Sequence, residues 1–154
     1  MTDFINVTTK MFFDRDRVVN AMDRKAQRCL SSAGAYGRTI MRRGMKRRKG
    51  ISAPGGFPSA HAGQLKELIY FGYDAATKGV VIGPTLFKKD RELTGTTKTV
   101  PQLINEGGTV FRVKKVGRGS QHIRQTYRPR PFVELTRPHV EKKFLENLEK
   151  FDFK

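Results

Sequence analysis

The chain has no tryptophan and a single cysteine, Cys29, among 154 residues. One cysteine excludes an internal disulfide, and with only three histidines (His61, His122 and His139) it cannot furnish a zinc site of standard ligand spacing. No metal or cofactor is therefore expected. No stretch of eighteen apolar residues occurs, so a membrane-crossing helix is not expected, and Met1 to Lys10 lacks the charged start and apolar stretch of a signal peptide. Acidic residues are scarce: 14 against 31 Lys and Arg, for a formal net charge of +17. Such a molecule repels its own copies and attracts phosphate-rich polymers or acidic proteins. The AVILMFWYC set supplies 37% of the residues, enough for one thin core and one domain spanning 1–154.

The positive charge sits in two lobes. Residues 1–50 hold 13 basic and 4 acidic side chains, residues 51–100 hold 6 and 4, and residues 101–154 hold 12 and 6. In the first lobe Arg42, Arg43, Lys46, Arg47, Arg48 and Lys49 place six cations in eight residues. A helix end favours two or three cations through its macrodipole, and six exceed that need. Contact with nucleic-acid phosphates is the expected use, with an acidic protein face or a plain solvated surface as the alternatives. Without tryptophan, and with few aromatics among the arginines, the stacking platforms of a single-strand binder are missing, which favours duplex phosphates. The second lobe comprises Arg112, Lys114, Lys115, Arg118 and Arg124, where alternation sets Arg112 and Lys114 opposite Phe111 and Val113 as on a half-solvated sheet.

Periodicity predicts an α+β chain. After an alternating segment around Phe4 to Phe12, Asp14 is placed to cap a helix, with Phe13 and Val18 in hydrophobic-staple positions. Val18, Met22, Ala26, Cys29, Ala33, Gly37, Ile40 and Met41 recur at spacings of three and four, which extends the helix to about Lys49. Its small residues between Ser31 and Gly37 permit another backbone to approach closely. Residues 50–64, rich in Gly and Pro, read as an extended loop or arm. Leu65 to Tyr73 and Val80 to Ile82 read as an antiparallel hairpin, and 85–99 as loop. Val100 to Asn105 suits a short helix stopped by Gly107-Gly108. Thr109 to Val116 and Ile123 to Tyr127 form a second hairpin, and Leu135, Val140, Phe144, Leu148 and Phe151 mark a closing helix, with Pro138 near its first turn or at a kink. Phe132 is its expected core anchor.

Catalytic patterns are weak. Glu141-Lys142-Lys143 lies in helical spacing, where such residues form surface pairs. Gly95-Thr96-Thr97-Lys98 lacks the order of a phosphate-binding loop. No enzyme is expected.

Taken in order, Ser31-Ser32-Ala33-Gly34-Ala35-Tyr36 with Arg42-Arg43, Ser52-Ala53-Pro54-Gly55-Gly56-Phe57-Pro58, Ala62-Gly63-Gln64-Leu65-Lys66, Val80-Val81-Ile82-Gly83-Pro84, Val100 to Gly108 and Arg130-Pro131-Phe132 resemble the neck or tail-completion proteins of tailed bacteriophages. The likeness covers roughly residues 10–150. It implies a structural virion subunit, assembled in the host cytoplasm into a ring of six or twelve copies between the head connector and the tail, through which double-stranded DNA passes. It further implies docking on connector, tail-terminator or tail-tube proteins, and subunit contacts on Ser52 to Gly63 and the 65–84 hairpin, with Pro54, Phe57, Pro58, His61, Leu65 and Tyr70 as candidates. A basic nucleic-acid-binding protein of ribosomal or nucleoid type shares the charge and size.

Overall fold

The computed structural model describes residues 14–61, 63–85, 93–94, 96–116 and 119–150, with the backbone alone at 93–94 and 114–116. The architecture is α+β. Helix α1 (Arg15–Gly44) is followed by a helical turn α2 (Gln64–Glu67) and the strands β1 (Ile69–Asp74) and β2 (Gly79–Pro84). Then come β3 (Leu93–Thr94), α3 (Val100–Glu106), β4 (Gly108–Val116), β5 (Gly119–Tyr127) and α4 (Phe132–Glu149). β1 and β2 form an antiparallel pair, and β3, β4 and β5 form a second antiparallel sheet in that order. The expected alternating segment at Phe4 to Phe12, the staple residue Phe13, Gly117, Arg118 and Phe151 lie outside the described residues.

Asp14 caps α1 as its position requires, its carboxylate accepting from the Arg17 backbone N–H at 2.9 Å. Thirty residues at about 1.5 Å each make α1 roughly 45 Å long. Along its middle, Cys29, Ala33, Gly34, Gly37 and Met41 are buried. These small residues form a trough against which the β1–β2 hairpin and α4 pack. At Gly37 an added Cβ would sit 2.6 Å from Val140 Cγ2 and 2.8 Å from Ile82 Cδ1, so only glycine admits both neighbours. The stripe's outer part differs from expectation: Val18 and Met22 are exposed, with no described element covering them.

α1 ends at Gly44, five residues short of the predicted Lys49. Met45 leaves the helix with ψ near 88° and turns into the core at 1% exposure. Burial of that side chain outweighs the helix preference of the cations beyond it, which in a continued helix would also stand as like charges at i,i+4. The core then gathers Met41, Met45, Ala60, Ile69 and Phe132, with Phe57, Leu65, Ile82, Ile104 and Val133 packed around them. Phe132 is the anchor expected.

The loop between α1 and α2 has no regular structure, as its glycines and prolines dictate, but it lies against the body and does not project from it. Gly55 N–H donates to the Pro129 carbonyl, Ala60 N–H to that of Lys46, and Ser52, Pro58 and Ala60 are buried. Arg130 is 9% exposed and holds the loop from the other side, its Nε and Nη2 donating to the Ser52 carbonyl at 3.2 and 2.9 Å and Nε to Ser52 Oγ at 2.9 Å.

The first hairpin begins later than predicted, at Ile69, because residues 64–67 close a helical turn. At its tip Asp74 accepts from Thr77 Oγ1 and the Ala76 N–H, bonds that hold its carboxyl below the usual carboxylate range. Lys78 ties the tip to α1 through Asp23, at 2.8 Å. In the region expected to be loop, Leu93 and Thr94 pair with Arg112 and Phe111 of β4. α3 starts with a capping box between Thr99 and Gln102. It stops at Gly107, whose φ of 77° favours glycine.

α4 has no cap from its own chain neighbours. Asn105 of α3 supplies one: its Oδ1 accepts the Val133 N–H at 3.2 Å while Nδ2 donates to Glu134. The buried face of α4 is that of Phe132 and Thr136, and of the predicted stripe Val140 and Phe144 are half-buried. Leu135 and Leu148 are exposed. Thr136 satisfies its hydroxyl internally on the Phe132 carbonyl at 2.8 Å, so a polar residue fits a site that leucine would overfill. Pro138 lies inside the helix, beyond its first turn.

Two substitutions test this packing. Gly37→Ala gains about 1 kcal/mol of helix propensity but forces an overpacked contact costing about 1–3 kcal/mol, so its melting midpoint is expected to fall while Gly50→Ala, in open space, stays close to the parent. A raised midpoint for Gly37→Ala would show that α4 and β2 sit farther off. An interior proline costs a helix about 3 kcal/mol. Pro138→Ala is therefore expected to raise the unfolding free energy in denaturant titration, and a fall would mean that its ring shapes α4 for packing.

Candidate polyanion and partner contact surface

The first basic lobe is assembled from two segments of different kind. Arg42 and Arg43 occupy the last turn of α1, where cations complement the helix carbonyls. Lys46, Arg47, Arg48 and Lys49 follow on irregular backbone and are all exposed. The bond from Ala60 N–H to the Lys46 carbonyl, 3.1 Å long, brings the returning loop alongside, so Arg47, Arg48, Lys49, Ala60 and His61 together line an open hollow of about 400 Å³. Lys78–Asp23, Lys98–Glu106 and Lys143–Glu146 form ion pairs, and none of these involves the lobe. Six cations without an acidic partner among the described residues form a surface whose field is open to an external polyanion.

The second lobe is only partly placed. Lys114 and Lys115 belong to β4, but their side chains, like Arg118 as a whole, lie outside the described residues. Arg112 is half-buried and donates to Gln125 at 3.4 Å, and Arg124 is exposed on β5. The sheet faces are the reverse of the expected half-solvated pattern. Val110 is fully buried on the face of Arg112, whereas Phe111 and Val113 are 45% and 41% exposed. Cross-strand pairing puts Phe111 beside Arg124 and Val113 beside His122, a mixed apolar and cationic face.

The candidate interface residues divide in two. Pro58 is buried, Phe57 sits over Gly44, and Leu65 packs on the core, so these three are engaged within the chain. Pro54 and His61 are exposed, and Tyr70 is 49% exposed. Arg38 stacks on Tyr70, with its guanidinium carbon 5.6 Å from the ring centroid, while Nε donates to the Ile69 carbonyl. This fixes an aromatic at the surface against Arg38, one helical turn before Arg42.

Cys29 is buried in the trough, and burial pushes its thiol above the ordinary range, which disfavours the nucleophilic thiolate. His61, His122 and His139 are exposed, and the described residues contain no group of His, Cys, Asp and Glu that could hold a metal. No described helix is long and apolar enough to cross a membrane. Sequence reasoning missed Arg130 and Asn105. The signal for Arg130 lay in its place between Pro129 and Pro131, where a stiff backbone fixes the direction of the side chain. Asn105 carried no local signal, since its acceptor role depends on α4 arriving from 28 residues away.

No protein-family model matches this chain, and no curated protein or solved structure matches it either.

Salt dependence separates the two uses of the first lobe. Replacing Arg42, Arg43, Arg47 and Arg48 by Gln is expected to reduce the slope of log binding constant against log salt for duplex DNA by up to about 0.9 per lost phosphate contact. An unchanged slope would refute a phosphate-contact role for these four arginines.

Proposed function

We propose that this chain is a non-catalytic structural subunit of a tailed-phage neck, acting by assembly into a ring that joins the head connector to the tail and lets double-stranded DNA pass. The order of its sequence segments supports the phage assignment. The observation that carries the assembly reading is the apolar stripe of α1, which runs from the buried Cys29 out to exposed Met22 and Val18 with no described element upon it. At 52% and 40% exposure these side chains leave part of a core-type face to water, and a neighbouring copy is the partner a ring supplies. Val113 and Ile123, both exposed on the β4–β5 hairpin, offer a second contact of the same kind. The basic lobe fits either duplex DNA or an acidic face of a connector or tail protein. The subunit belongs to the virion neck and assembles in the host cytoplasm on this reading.

Sedimentation with negative-stain imaging tests it. The parent is expected to form rings, and Val18→Asp combined with Met22→Asp is expected to shift it to monomer while changing folding stability by no more than about 0.5 kcal/mol per site, as for exposed positions. A parent that stays monomeric and binds nucleic acid tightly would replace this reading with that of a basic nucleic-acid-binding protein.

A further inference from the structure

Between the loop that follows α1 and the outer side of β5 lies a groove of about 610 Å³. One wall is Ile51 to Pro54 with Pro58 and Ser59, and the other is Gln125 to Arg128, with Ile104 and Arg130 also lining it. Four consecutive residues of an extended chain point alternately to opposite faces. Their joint presence means that the groove is bordered by the edge of β5, which pairs with β4 alone among the described strands. A strand edge of this kind is a template for another extended segment.

Arg130 gives the groove its chemistry. This guanidinium is nine-tenths buried, yet no acidic side chain pairs with it among the described residues. Its contacts are carbonyls and one hydroxyl: Ser52 for Nε and Nη2, and the Arg128 carbonyl for Nη1 at 3.1 Å. An N–H on each terminal nitrogen is left without an acceptor among them, since each makes one hydrogen bond and bears two hydrogens. A buried charge is costly unless compensated. Ser59 Oγ, in the same lining, is likewise buried with no hydrogen-bond partner among the described residues.

From this geometry we infer that the groove is a docking site for an extended acidic peptide segment of a partner protein, which pairs with the β5 edge and places a carboxylate against Arg130. The apolar lining selects peptide over nucleic acid, because Ile51, Pro54 and Ile104 offer nothing to a phosphate backbone, while Ile51, 79% exposed, gains a neighbour when a side chain packs on it. Charge complementarity fixes the sign of the segment. The inference is independent of the neck reading, since it needs neither a ring nor DNA.

The test titrates the isotope-labelled full chain with a terminally blocked peptide, Thr-Val-Asp-Val-Thr, and with the same peptide carrying Asn for Asp, following backbone amide shifts. Saturable shifts at residues 51–53, 125–128 and 130, about tenfold weaker affinity for the Asn peptide, and loss of binding in Ile51→Glu with its melting midpoint unchanged are expected. Shifts confined to Arg42 to Lys49 would reveal mere attraction to the polycation and overturn the proposal. So would equal binding of the two peptides, no response at the groove, or a duplex oligonucleotide that moves the groove amides where the Asp peptide does not. Ring assembly, measured separately, is unaffected by any of these results.

Discussion

Close approach at the middle of α1 governs this molecule. Ala33, Gly34 and Gly37 present almost no side chain, so Val80 and Phe71 of the hairpin and Val140 of α4 reach the helix backbone itself. Dispersion contacts at that distance are individually weak and collectively decisive. They explain how a chain with so few large buried side chains holds two helices and a hairpin together. They also explain why the polar Thr136 is fully buried: where backbones nearly touch, a small residue that bonds its own helix serves better than a bulky apolar one.

The same economy has an outward face. Apolar groups that would thicken a self-sufficient core stand instead on the surface, at the beginning of α1, on the β4–β5 hairpin and along the leucines of α4. The six cations of the first basic lobe likewise have no acidic partner among the described residues. On the assembly reading proposed above, cations repel copies of the chain at long range, whereas apolar patches attract them at contact. A balance of that kind ties association to ionic strength and to the presence of a polyanion.

Much of the fold was legible in the sequence. Asp14 fixed the start of α1, the 3.6-residue period located its buried stripe from Cys29 to Met41, and alternation with glycine punctuation found both hairpins. What escaped prediction was settled by tertiary contact. Met45 ended the helix by turning inward, a choice that no local propensity announces. Leu135 and Leu148 looked like core but are exposed, whereas Val140 of the same stripe packs at Gly37 beside the Phe132 and Thr136 face. On β4 the parity of burial reversed, since Val110 and not Phe111 faces the body. Of the candidate site, the basic lobe was plain from composition. The groove was not, because it joins residues near 52 to residues near 128, and only the folded chain brings Arg130 to Ser52.

Asn105 carries a consequence for how the molecule is made. The start of α4 is completed by a side chain of α3, so this helix lacks a local device to secure its first turn and depends on elements already in place. During synthesis the part of the trough at Gly37 that Val140 fills must therefore wait until α4 has left the ribosome and found its cap, whereas the hairpin residues Val80 and Phe71 can cover Gly34 earlier. For that interval the nascent chain displays a narrow apolar furrow, a surface of the kind that holdase chaperones bind.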